Sequence, residues 1–65
     1  MESLSVGIGN RFLGKQGEYV VIALDDLEGT VYLKRMTDSG PITSKVTYFR
    51  LFQMLTDSIL KRKGA

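Results

Sequence analysis

The chain has no cysteine, no histidine and no tryptophan, and only one proline. Without cysteine no disulfide can staple the fold, and the lack of both cysteine and histidine removes the usual zinc ligands. The missing histidine also removes the commonest base for activating a nucleophile. The expectation is therefore a protein that is not an enzyme and needs no cofactor or metal. No apolar run approaches the ~20 residues that cross a bilayer. The opening MESLSVGIGN lacks the basic start and long apolar core of a signal peptide. A chain without cysteine is compatible with a reducing compartment. The expected location is cytoplasmic, with no membrane contact.

What is present is a short, mildly basic chain of 65 residues with net charge +2. That length predicts a single small domain over 1–65, which buries only about 60% of the surface its unfolded form exposes. Its expected stability lies at the low end of roughly 5–15 kcal/mol, or is raised by association.

One stretch has sustained helical spacing. Tyr48, Leu51, Phe52, Leu55, Ile59 and Leu60 recur at three- and four-residue intervals, with Phe49 and Met54 widening the stripe. Thr47 suits the N-cap and Gly64 the position past the end, and Lys61, Arg62 and Lys63 would then oppose the negative end of the helix dipole. Asp57 and Lys61 are spaced as a helical ion pair. The pattern predicts a helix over 47–62.

Before it the pattern is that of strands. Residues 3–13 alternate apolar and polar, with Gly7 and Gly9 as a weak point. Residues 18–25, EYVVIALD, are β-branched and apolar on both faces, as a central strand requires. Asp25-Asp26-Leu27-Glu28-Gly29 reads as a hairpin turn leading to a strand over 30–37. Pairing residues 24 and 30 would group Tyr32 and Lys34 with Ile22 and Val20, and Val31, Leu33 and Arg35 with Ala23, Val21 and Tyr19; a slip of one residue reverses this. Gly40-Pro41 should stop the ladder before a short strand over 42–46. Every connection is too short for a parallel crossover. The fold class is therefore α+β: a small antiparallel meander of about four strands followed by one C-terminal helix. The expected core is Val6, Ile8, Val20, Ile22, Leu24, Val31, Leu33, Leu51, Phe52, Leu55 and Ile59. One helix covers one face, so the sheet either curls into a small barrel or leaves a surface for a second copy. A homodimer is expected, through Tyr48, Phe49 and Met54 or through an open sheet edge.

Gly9 to Lys15 fits GxxxxGK, the start of a phosphate loop, but Gln16 replaces the Ser or Thr that holds magnesium and a strand follows in place of a helix. Asp25, Asp26 and Glu28 sit at a hairpin tip and read as a solvated turn rather than a cation site. So short a chain is expected to have little room for a ligand pocket.

Charge is unevenly spread. Residues 1–33 carry Arg11 and Lys15 against Glu2, Glu18, Asp25, Asp26 and Glu28, a net of −3, and residues 34–65 carry seven cations against Asp38 and Asp57, a net of +5. Lys34, Arg35, Lys45, Arg50, Lys61, Arg62 and Lys63, interleaved with Tyr32 and Tyr48, form a candidate surface for phosphates and stacked bases. The stretch GPITSKVTYFRLFQMLTDSI resembles the C-terminal part of coactivators of the positive-cofactor-four type. In those, a fourth strand runs into a long helix and the dimer binds single-stranded nucleic acid. FQML resembles the closing helix of small archaeal chromatin proteins. Each resemblance covers under a third of the chain, and neither includes a diagnostic motif. The expected function is non-enzymatic binding of DNA or RNA; the alternative is a small protein-binding module, an inhibitor or adaptor of phage or plasmid type, acting through its helix or sheet edge.

Overall fold

A computed structural model describes residues 6–63. Five antiparallel strands form one open sheet, with a single helix among the described residues. They follow in the order β1 (Arg11–Gly14), β2 (Gly17–Asp25), β3 (Thr30–Thr37), β4 (Gly40–Thr47), α1 (Tyr48–Thr56) and β5 (Lys61–Arg62). In space the strands run β4-β3-β2-β1-β5. The chain thus meanders from β1 to β4, then uses α1 to cross the sheet and return to its other edge. The sheet does not close into a barrel.

Three strands stand close to where the sequence places them, and the first does not. Of residues 3–13, positions 3–5 lie outside the described residues, and 6–10 form a turn in which Gly7 N–H donates to Asn10 Oδ1 at 2.8 Å. Asparagine competes locally for the backbone there, and the glycines give the strand little to pack. Ile8 is consequently 69% exposed and is not a core residue. β4 also begins earlier than expected: Gly40 pairs with Thr37 and Pro41 with Met36, so Gly-Pro does not stop the ladder. Proline is tolerated because β4 is an edge strand.

The β2–β3 pairing combines two registers. Tyr19↔Arg35, Val20↔Lys34 and Val21↔Leu33 follow the expected one, whereas Ala23↔Tyr32 and Leu24↔Val31 are shifted by one residue, with a bulge between Val21 and Ala23. The extra residue, Ile22, is left on the surface, and Leu24 moves to the side of Val21. The helix-side face thereby takes Leu24 opposite Val31, where the unshifted register would have set the smaller Ala23. The core is Phe12, Val21, Val31, Leu33, Leu51 and Leu60, with Val6, Leu24 and Leu55 packed against it. Val20 and Phe52 are half-buried.

The helix begins as expected and ends early. Thr47 Oγ1 accepts from Arg50 N–H at 3.0 Å. After Thr56 the chain closes a Schellman motif: Ser58 N–H donates to the Leu55 carbonyl and Ile59 N–H to the Met54 carbonyl, with Ser58 at φ 62. Thr56, Asp57 and Ser58 are all weak helix formers whose side chains compete for the backbone. The stop lets Leu60 reach the sheet, where it is 4% exposed, and leaves Ile59 50% exposed. Lys61 and Arg62 therefore form a strand beside β1 instead of a last helical turn, and the helical ion pair of Asp57 with Lys61 is not made. Gly64 lies outside the described residues.

Candidate nucleic-acid interface

Nine helical residues span about 13 Å, and strands of eight or nine residues span about 27–30 Å. The helix thus covers part of one sheet face and none of the other. Alternation along each strand decides which charges reach the uncovered face.

Register carries one row right across it. Arg11 pairs with Val20, Val20 with Lys34, and Lys34 with Thr43. Lys63 extends the row past β1, because its N–H donates to the Arg11 carbonyl. Four steps between strands make this row about 19 Å long. A second row runs Ala23–Tyr32–Lys45. Lys61, opposite Leu13, shares the face.

The acids beside these cations are few and engaged. Glu18 Oε2 lies 3.2 Å from Lys63 Nζ and 3.8 Å from Arg11 Nε. Glu28 Oε1 lies 2.9 Å from Lys45 Nζ. That hydrogen bond, and then the carboxylate charge, raise the Lys45 pKa, so the ammonium holds its proton more firmly than an ordinary lysine. Lys45 Nζ also lies 5.9 Å from the centre of the Tyr32 ring, which holds the ring beside a cation. Lys34 and Lys61 make no ion pair with the described residues. Five cations (Arg11, Lys34, Lys45, Lys61 and Lys63) thus share the face with Glu18, Glu28 and Asp25.

The remaining expected site residues lie elsewhere. Arg35 and Arg62 belong to the helix-side face, in the row Arg62–Phe12–Tyr19–Arg35. The Arg35 guanidinium stands 5.8 Å from the Tyr19 ring centre and that of Arg62 stands 5.5 Å from Phe12. Arg50 is on α1, where Nη1 donates to Gln53 Oε1 at 3.3 Å. Tyr48 O–H donates to Asp26 Oδ1 at 2.8 Å. That bond, then burial, raises the Tyr48 pKa. The set read from the sequence is therefore split: Tyr32, Lys34, Lys45, Lys61 and Lys63 come together, and Arg35, Arg50, Arg62 and Tyr48 do not join them. Arg11 was missed, although its place opposite Val20 follows once the first hairpin turn is set at residues 14–17.

The three acids of the hairpin are occupied by their own neighbours. Asp25 Oδ1 accepts from the N–H groups of Leu27 and Glu28, Asp26 accepts from Tyr48, and Glu28 binds Lys45. Lys15 stands at the tip of the β1–β2 turn, and a strand follows it.

The expectation of little pocket space is corrected. Beyond the end of the short helix, a cleft of about 600 Å³ opens on the helix side, walled by Tyr19, Leu33, Val46, Met54, Ile59 and Leu60. That volume is within the range of ligand sites. It exists because the Schellman stop ends α1 before the sheet is covered. No family model, curated protein or solved structure matches the chain.

Proposed function

We propose that this chain is a small non-enzymatic nucleic-acid-binding protein that lays DNA or RNA across the uncovered sheet face. The observation that carries the reading is the row Lys63–Arg11–Val20–Lys34–Thr43, with Lys45 and Tyr32 beside it. The lysines take phosphates as point charges, the Arg11 guanidinium as a two-pronged donor, and Tyr32 offers a ring for stacking. Arg35, Arg62, Arg50 and Tyr48 are not part of this surface.

The test is a pair of single charge reversals at adjacent residues. Lys34→Glu should weaken binding to a single-stranded oligonucleotide and lower the magnitude of the salt slope by about 0.7, the value for one phosphate contact. Arg35→Glu, on the other face, should leave both affinity and slope near wild type. Equal losses from the two variants would refute the interface. So would the absence of binding to any oligonucleotide at ~50 mM salt.

A second reading has its own support. The cleft beside Met54 and Ile59, together with exposed Ile42, favours a protein-binding module acting through the helix side. Under that reading Arg35→Glu, and not Lys34→Glu, changes partner binding.

A further inference from the structure

The two edges of the sheet are unlike. β5 has two residues, a lysine and an arginine, and is too short to template another strand. β4 has eight, six of them exposed. The direction of its backbone groups follows from one bond: Tyr48 N–H donates to the Gly29 carbonyl at 2.9 Å. Hydrogen-bonded positions recur every second residue in an antiparallel pair. Val46, Ser44 and Ile42 therefore bond to β3, and Thr43, Lys45 and Thr47 turn their N–H and C=O groups away from it. Pro41 also faces outward, without an N–H.

We propose that β4 pairs antiparallel with β4 of a second copy, on a two-fold axis through Ser44, joining two five-stranded sheets edge to edge. In this register Thr43 and Lys45 of the two copies exchange backbone hydrogen bonds on both sides of the axis. Ile42, 46% exposed in one chain, lies opposite Val46 of the other. Ser44 meets Ser44 in a non-hydrogen-bonded pair, where Cα atoms approach to about 4.5 Å and a small side chain fits. Pro41, with no N–H to offer, falls at the margin opposite Thr47.

Neighbouring registers fail on stated grounds. A shift of one residue sets helix-side positions against open-face positions. An axis through Lys45 places two ammonium groups directly opposite. An axis through Thr43 puts Pro41 against Lys45, losing a hydrogen bond, and separates Ile42 from Val46. A core of six buried apolar residues adds a motive, because small domains commonly gain stability by association. The pairing rests on this edge geometry and not on the nucleic-acid reading, although it would bring Lys34 and Lys45 of both copies onto one continuous face.

Sedimentation of the intact chain should give twice the 7.3 kDa chain mass at high micromolar concentration. Thr43→Pro removes an N–H that β3 does not use, so it should yield a monomer with unchanged circular dichroism. The chain has no native cysteine, which allows a register test. Ser44→Cys should form an intermolecular disulfide on mild oxidation, because the predicted Cα separation lies in the permitted range. Ile42→Cys, facing Val46, should cross-link far more slowly. A wild-type monomer at every concentration overturns the proposal, as do a folded Thr43→Pro dimer and equal cross-linking at positions 42 and 44. If Thr43→Pro does not fold, the two cysteine variants decide.

Discussion

Truncating Leu60 and Ile59 in turn tests the early helix stop. In a helix running through residue 62 the two side chains belong to one apolar stripe and would both be core. In the Schellman arrangement they point to different surroundings: Leu60 is 4% exposed among Phe12 and the sheet residues, and Ile59 is 50% exposed at the cleft rim. Leu→Ala at a buried site costs about 2–5 kcal/mol. The Leu60 site borders an open cleft, so water can enter the space left, and a value of about 2–3 kcal/mol is expected. Ile59→Ala should cost about 1 kcal/mol or less, since half of its surface already meets solvent. For a domain of this size each kcal/mol moves the midpoint by about 4–8 °C, so the two variants should melt at least ~4 °C apart. Urea denaturation gives the free energies, with the slope m checking that the denatured state is unchanged. Equal losses, or a larger loss at Ile59, would refute the stop after Thr56.

Ser58 holds φ 62 without being glycine, so Ser58→Gly should raise stability by about 1 kcal/mol in the same urea experiment. Thr30 is buried with its Oγ1 unpartnered among the described residues, so Thr30→Val should be neutral or stabilising by up to about 1 kcal/mol. The Tyr48 and Lys45 pKa values are raised above their ordinary 10.0 and 10.5, so both contacts stabilise in full below those values and are lost as pH rises through the elevated ones. Asp26→Asn should accordingly lower the Tyr48 midpoint in a tyrosinate absorbance titration, and an unchanged titration would remove Asp26 as the cause.

The parts of the fold that could be read from the sequence are those with strong local signals. β-branched runs marked β2 and β3, turn residues marked the hairpins, and Thr47 marked the start of α1. What escaped depends on tertiary context. The Schellman stop carries Ser58 where glycine would announce it, and the periodic Ile59 and Leu60 mask it. β5 is two charged residues with no strand pattern of their own, held by β1. The bulge at Ile22 lies in a run so uniformly apolar that pattern alone cannot say which residue is extra. Phe12 and Val21, both fully buried, were absent from the expected core although each stood on an apolar face, and Leu24 is the residue whose side the single register misassigns.

The charge pattern shows why a basic half does not become a basic surface. Lys34 and Arg35 are adjacent, as are Lys61, Arg62 and Lys63, so both groups look like clusters in the sequence. On a helix, neighbours in sequence diverge by about 100° and can still share a broad face. On a strand they point to opposite sides. β3 therefore sends Lys34 to the open face and Arg35 to the helix side, and β5 separates Lys61 from Arg62 in the same way. Had the helix run through residue 62, all three terminal cations would have stayed at its end, far from Lys34. The early stop instead brings Lys61 and Lys63 onto the sheet beside Arg11, a residue from the acidic half. The face is thus assembled by register from both halves of the chain. Two of its five cations, Lys61 and Lys63, reach it only through the pairing of the chain after α1 with β1.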